Sequence, residues 1–272
     1  MNSAALSELS AEAARGAAAQ SHIRQLAASQ LENYRRQPAE LVGHFNREMS
    51  ALDGYRGRQL LELLQNADDA GVDASGCSLL LSLSRQRLVV ANTGRPFSPK
   101  GLTSLVISDC SPKQLDRNRF IGCKGLGFRS ALTWTDCPLL SSGSYDVCFD
   151  RARAASVVER MASENQAVAE EVTSFRNAAQ HLPAAVMRFP DIPDPADHRL
   201  VEARGFRAEG YDTVIVLPIA EGARGDGIYA EMRGQLDGLP TSSLLFCRHL
   251  GACPSNVLQP PSKFSAFSFM AA

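Results

Sequence analysis

The sequence lacks an excess of charge of either sign. Its 272 residues include 28 Lys or Arg and 29 Asp or Glu, which gives a formal net charge of −1. A segment that binds nucleic acid or an anionic membrane through long-range electrostatics carries a clear basic excess. The composition therefore gives no support for direct binding of nucleic acid by this segment.

Patterned cysteine and histidine are also missing. The seven cysteines include no CxxC pair, and the five histidines show no HExxH spacing. A zinc site is recognised by such spacings, and a disulfide framework by an even number of regularly spaced cysteines. We therefore expect reduced thiols, as in the cytoplasm, and histidines that lie at the surface or are satisfied within the fold.

Long apolar runs are absent as well. The N-terminal region is rich in alanine, but Glu8, Glu12 and Arg15 interrupt it, and no other run is long enough to cross a bilayer. We therefore expect a cytoplasmic protein without a membrane-spanning segment. The 44% hydrophobic content is ample for a buried core, which favours one principal domain.

The most distinctive stretch is a predicted helix that carries acid and amide groups, Glu62 to Ala70. Because a helix advances about 100° per residue, three polar side chains fall within one stripe. These are Glu62, Asn66 and Asp69. The apolar residues on the opposite side are Leu60, Leu64 and Ala67. Asn and Asp are mediocre helix formers, so this stripe is either a solvated face or a functional one.

Two glycine-bearing segments follow this helix. The first, Asn92-Thr93-Gly94, stands at the end of a predicted strand. The second, Gly122 to Ser130, places three glycines and Lys124 before a predicted helix, whose free N–H groups and dipole favour phosphate. It is neither a P-loop, which needs Gly-Lys-Ser/Thr, nor a dinucleotide fingerprint, because no βαβ unit with a downstream acid surrounds it.

Together these three elements resemble the ATP site of the GHKL superfamily. The sequences of Gly54 to Arg58 and of Lys124 to Ser130 are most similar to those of the sacsin N-terminal ATPase-like group. The resemblance covers roughly residues 34–250. It implies the Bergerat fold, an α/β two-layer sandwich of a mixed β-sheet with helices on one face, over residues 37–250. A helical extension, residues 1–36, would precede this domain, and an irregular tail, residues 251–272, would follow it.

The resemblance also implies roles for the helix and for the adenine pocket. Glu62 matches the general base, Asn66 the Mg²⁺ ligand, and Asp69 the helix acid near the adenine. Asn92 takes the place of the family's aspartate as acceptor from the adenine amino group, but it is neutral, so that bond is weaker. Gly94 matches the glycine that lets the purine approach the backbone. Thr213 matches a threonine that completes the pocket.

At the phosphate end, the resemblance implies a cradle and a lid. The residues matched to the cradle are Gly122, Lys124, Gly125, Leu126, Gly127 and Phe128. The lid would be the long segment from Ser98 to Arg119, which is broken by Pro and Gly and whose Lys113 could reach a phosphate. We expect this segment to be open without nucleotide and to become ordered around the triphosphate.

Periodicity predicts further elements. One or two helices are expected over residues 4–36, a helix over residues 38–49, a helical region over residues 154–181 and a helix near residues 226–238. A hairpin is expected from Ser78–Leu83 and Leu88–Ala91, with further strands at 138–141, 145–149 and 243–247 and a central strand at Thr213–Ile219. Residues 190–198 are predicted to be an irregular loop. The N-terminal helices are either a strap to a second subunit, which would make a homodimer, or a frayed arm.

The function that this resemblance implies is Mg²⁺-dependent binding and slow hydrolysis of ATP as a conformational switch. The chain would then be a module of a chaperone-like or defence-type ATPase that acts on an unidentified protein client. The alternative is a catalytically idle, nucleotide-gated interaction module. A third interpretation, a protein histidine kinase, is weak because no two-helix segment presents an evident phosphoacceptor histidine.

Overall fold

The computed structural model describes residues 3–71, 77–107, 127–239 and 265–270, which contain both helices and strands. The α-helices are α1 (Ser3–Arg36), α2 (Ala39–Gly54), α3 (Gln59–Ala70), α4 (Pro99–Ile107), α5 (Gly127–Ser130), α6 (Arg151–Glu164), α7 (Gln166–Ala179), α8 (His198–Ala208) and α9 (Ala223–Asp237). The strands are β1 (Ser78–Leu83), β2 (Arg87–Asn92), β3 (Leu139–Ser142), β4 (Tyr145–Cys148), β5 (Thr213–Pro218) and β6 (Ser265–Met270). The predicted α/β class is therefore confirmed.

The six strands form one sheet in the order β4-β3-β5-β2-β1-β6. Every neighbouring pair in it is antiparallel. The prediction of a mixed sheet is therefore wrong for the described strands. Two hairpins, β1–β2 and β3–β4, each supply an antiparallel pair, and β5 runs between them antiparallel to both neighbours. The hairpin and the central strand β5 are as predicted.

Helices cover both faces of the sheet, so the prediction of helices on one face is also wrong. On one face, Leu79 and Val90 belong to the main core with residues of α1, α3, α4 and α9. On the other face, Val89 and Val216 pack with Leu200 of α8. A strand that is apolar on both sides needs cover on both. The N-cap of α8 is Asp197, whose carboxylate accepts from the Arg199 N–H, within the stretch predicted to be a loop.

The N-terminal region is a single helix of 34 residues, in line with the helical prediction. Its second half is part of the fold, because Ile23 and Leu26 are buried in the main core. Tyr34 is buried in a separate cluster with residues of α2, α6 and α7. Between Ser10 and Arg15 the side chains are exposed. The strap to a second subunit stays a prediction.

Two predicted irregular segments contain regular structure. The first nine residues after Ser98 form α4, which buries Leu102, Leu105 and Val106. This part of the predicted lid is therefore a helix packed on the core by apolar contacts, not an open loop. The predicted tail contains β6, which pairs with β1. Lys113, Arg117, Arg119 and the predicted strand at 243–247 lie outside the described residues.

A buried carboxylate joins α2 to the segment before α8. Glu48 is only 3% exposed, and its two oxygens accept from the N–H groups of Val186 at 2.8 Å and Met187 at 3.0 Å. Burial raises the pKa of this carboxyl group above its usual value, and the two backbone hydrogen bonds oppose that shift. The native protein therefore holds the Glu48 proton more tightly than the unfolded chain does.

This raised pKa makes stability depend on pH. The contribution of Glu48 should be fully present below its unfolded pKa, which is 4.5, and should be lost as pH rises through the higher native pKa. Glu48→Gln removes this titration. The free energy of unfolding of the wild type, minus that of Glu48→Gln, should fall in urea titrations as pH rises above 4.5. Glu159→Gln, at an exposed glutamate of α6, controls for the loss of one carboxylate. A difference that rises with pH would contradict the prediction.

Candidate functional site

Three elements meet at one end of the sheet: the C-terminus of α3, the turn after β2 and the start of β5. Asn92, the last residue of β2, pairs in register with Thr213, the first residue of β5. Thr213 in turn pairs with Ser142 at the end of β3. The Arg95 N–H donates to the Ala70 carbonyl of α3 at 2.7 Å. The structure thus brings the predicted adenine-pocket residues together beside the predicted functional helix.

The glycine of the turn is required by its contact with α3. Gly94 has φ of +120°, and a Cβ at this position would lie 2.5 Å from the Ala70 carbonyl oxygen. Only glycine fits such a backbone beside another main chain. The sequence predicted Gly94 for close approach of a purine, whereas the close approach that the structure shows is to the end of α3. The Gly94 N–H donates to Asp212 Oδ2 at 2.8 Å.

The polar row across the sheet end is nearly closed to solvent. Asn92 and Thr213 are each 4% exposed. The Asn92 amide nitrogen donates to the Thr93 carbonyl at 3.0 Å, so the amide oxygen is the atom with which Asn92 can accept from a ligand. The Thr213 and Ser142 hydroxyl oxygens are 2.6 Å apart, and the Ser142 oxygen also accepts from the Phe97 N–H. Sequence reasoning missed Ser142, whose partner Thr213 is 71 residues away.

The amphipathic prediction for α3 is confirmed in part. Leu60, Leu64 and Ala67 are buried and Glu62 and Asn66 are partly exposed, whereas Asp69, the third residue of the predicted polar stripe, is buried. Asn66 is one turn and Glu62 two turns before Ala70, which is about 6 and about 12 Å along the helix axis. Both side chains therefore lie on α3 at increasing distance from the sheet end.

The acids of α3 have different surroundings. The Glu62 side chain is 12% exposed and lies 3.8 Å from the Arg58 guanidinium, measured between Oε1 and Nη2. Asp69 is buried at the C-terminal end of the helix, where the resemblance placed it near the adenine. Asp68 beside it is fully buried, which the sequence did not indicate.

A network of side chains from α9 holds the first turn of α3. Gln235 accepts from the Leu60 N–H at 3.1 Å and donates to the Gln59 side chain at 2.8 Å. Gln59 donates to Thr133 at 2.9 Å and to Glu231 at 3.1 Å. One otherwise unpaired N–H group of the helix N-terminus is thereby satisfied from outside the helix. The network fixes the turn that carries Glu62, and it connects this turn to the segment after the glycine cluster.

Most of the predicted phosphate cradle lies outside the described residues. Gly122, Lys124, Gly125 and Leu126 are among those outside, and Gly127 is the first residue of α5. The Phe128 ring is buried in the core, with its centroid 6.2 Å from that of Phe149. The expected contact of Phe128 with nucleotide stays a prediction from the sequence.

Comparison with protein-family models gives no match to this chain, and comparison with curated proteins gives none either. Within the described ranges, no group of three or more His, Cys, Asp or Glu side chains is arranged to hold a metal ion. No helix in the same ranges combines the length and the apolar character needed to cross a membrane.

Proposed function

We propose that this chain binds ATP with Mg²⁺ along α3 and the sheet end, and hydrolyses it slowly as a conformational switch. The observation that carries the proposal is the convergence of α3 with Asn92, Gly94 and Thr213 at one corner of the sheet. The polar face of α3 leads away from this corner. A site for a nucleotide needs a pocket for the base at one end and ligands for phosphate and metal at the other.

The nucleobase would bind at the sheet end. The Asn92 amide oxygen can accept from an exocyclic amino group, and the Thr213 and Ser142 hydroxyls can exchange hydrogen bonds with the base directly or through water. The Thr213 and Ser142 hydroxyls hold each other and the Thr93 carbonyl holds the Asn92 amide, so little ordering is needed when a ligand binds. The sacsin-like resemblance of the motifs remains part of this proposal, and so does a Bergerat-type fold, although the described sheet is antiparallel and α8 covers its second face.

The middle of α3 would hold the metal. Asn66 offers an amide oxygen, a hard ligand of the kind that Mg²⁺ accepts, and Mg²⁺ needs few protein ligands when phosphates and water supply the rest. When bound, the ion neutralises charge on the phosphate oxygens. The cradle formed by Gly122 to Gly127 and the contact of Lys113 stay predictions from the sequence.

The first turn of α3 would carry the catalytic base. The Glu62 carboxylate can orient a water molecule and accept its proton as that water attacks the γ-phosphate and the bond to the β-phosphate oxygen breaks. The α9 network holds this turn in place. Glu62 thus acts on the water, at a distance from the base-binding end.

One observation favours a second candidate function, a catalytically idle module in which bound nucleotide controls contact with a protein partner. Arg58 lies within ion-pair distance of Glu62, so the carboxylate can be held by the guanidinium instead of by a water molecule. Single-turnover hydrolysis of labelled ATP separates the two functions. Release of phosphate by the wild type supports the ATPase, and stable bound ATP supports the idle module.

The metal role is tested by Asn66→Ala. This variant should lose the Mg²⁺-dependent part of ATP binding, because the amide oxygen is the metal ligand that the protein supplies. Equilibrium dialysis with labelled ATP, with and without Mg²⁺, measures the loss. Gln65→Ala is the matched control, since Gln65 is also a half-exposed amide of α3. Equal effects of the two substitutions would contradict the assignment of Asn66.

A further inference from the structure

Asp212 places a carboxylate at the base-binding end of the proposed site, where the sequence indicated only a neutral amide. It is the residue before β5 and is half-buried. Its carboxylate accepts from the Gly94 N–H at 2.8 Å, and its own N–H donates to the Asn92 carbonyl at 3.0 Å. Asp212 is therefore fixed, by side chain and by main chain, to both ends of the turn that carries Asn92 and Gly94.

The other polar groups at this end are less suited to bind an amino group strongly. Asn92 is neutral, and the Thr213 and Ser142 hydroxyls already contact each other. Asp68 and Asp69 are buried within α3, whereas Asp212 is partly open. The charge of Asp212 also acts on Cys77. Burial raises the pKa of the Cys77 thiol to about 11, and the charges of Asp68 and Asp212 add to this shift.

We propose that Asp212 supplies the charged acceptor for the exocyclic amino group of the base and so determines which nucleobase the site prefers. This inference rests on the proposed function. A carboxylate offers about four acceptor positions, and the Gly94 N–H occupies one of them. A hydrogen bond to an ionised acceptor is roughly twice as strong as one to a neutral acceptor. The site should therefore select bases that present an amino group over bases that lack one.

Purine riboside triphosphate is the discriminating probe, because it differs from ATP only by lacking the 6-amino group. The wild type should bind ATP about tenfold more tightly than this analogue, the preference expected from one charge-assisted hydrogen bond. In Asp212→Asn the preference should fall to about twofold, with most of the loss in ATP affinity. The asparagine oxygen can still accept from Gly94, so the turn keeps its contact.

Three controls keep the test specific. Asp226→Asn removes a carboxylate in the first turn of α9, where it pairs with Arg85, and should leave the preference at the wild-type value. Asp212→Ser also offers an acceptor to Gly94 and replaces the asparagine variant if that protein does not fold. Asn92→Ala should weaken ATP by no more than about twofold, leave the analogue unchanged and so keep the preference above about fivefold.

The outcomes separate this inference from the function on which it rests. If the wild type binds ATP but Asp212→Asn weakens both nucleotides by the same factor, Asp212 only holds the turn and the inference is wrong. If Asn92→Ala abolishes the preference and Asp212→Asn does not, Asn92 is the acceptor and the inference is again wrong. If the folded wild type binds neither nucleotide, the proposed function itself fails.

Discussion

Replacing Glu62 with alanine should leave ATP binding unchanged and slow single-turnover hydrolysis by about 10² to 10⁴, the range for loss of a general base. The Glu62 side chain lies two turns of α3 away from the base-binding end and has no part in the row formed by Asn92 and Thr213. Binding is measured by calorimetry with a non-hydrolysable analogue. Hydrolysis is measured as release of labelled phosphate when the enzyme is in excess over ATP.

Asp226→Ala is the control for this experiment. Like Glu62, Asp226 is an acid in the first turn of a helix, and it pairs with an arginine, Arg85, at 2.9 Å. It should hydrolyse ATP at the wild-type rate. A Glu62→Ala protein that cannot bind ATP would show that Glu62 holds the nucleotide. A Glu62→Ala protein that hydrolyses ATP at the wild-type rate would show that another residue is the general base.

Replacing Gly94 with alanine should destabilise the protein by about 3 kcal/mol or more and abolish ATP binding. The positive φ at this position disfavours any residue with a Cβ, and the added carbon would stand 2.5 Å from the Ala70 carbonyl oxygen. Since that oxygen belongs to a main chain, relief requires α3 and the turn after β2 to separate. The separation would move α3 away from Asn92 and Thr213, with which it forms the proposed ATP site.

Urea unfolding and calorimetry together measure these two losses. Gly205→Ala is a matched control, because Gly205 lies within α8 and a Cβ there meets no atom within 4 Å. That change should stabilise the protein by about 0.5–1 kcal/mol, the usual gain when alanine replaces glycine in a helix. A Gly94→Ala protein as stable as the wild type would mean that the close contact with Ala70 is not a feature of the native fold.

Local pattern predicted the elements that carry the candidate site. The spacing of apolar residues identified the buried face of α3, and short apolar runs placed Asn92 at the end of β2 and Thr213 at the start of β5. These features depend on residues that are near one another in sequence. Periodicity is the strongest signal of this kind.

The errors concern strand direction and helices hidden by turn-forming residues. Strand direction depends on how the connections return to the sheet, which spacing along the chain does not reveal. α4 begins at Pro99, a favourable first helical position, yet the prolines and Gly101 made the segment look like a loop. Asp197 similarly ends a stretch rich in proline and aspartate and is the N-cap of α8.

The missed site residues are those whose role depends on distant partners. Asp212 contacts Gly94 across 118 residues, and Ser142 contacts Thr213 across 71. An aspartate just before a predicted strand was the only local sign of Asp212, and it is a common residue in turns. Such contacts require the order of strands in the sheet, which is the part of the fold that the sequence did not predict.

The most direct test of the central claim is a calorimetric titration of the wild-type chain with a non-hydrolysable ATP analogue, with and without Mg²⁺. The proposed site predicts saturable binding at one site per chain that is markedly tighter when Mg²⁺ is present, since Asn66 contributes through the metal. Absence of binding by the folded protein at millimolar analogue, or binding that is indifferent to Mg²⁺, would contradict the claim that α3 and the sheet end form a Mg²⁺-dependent ATP site.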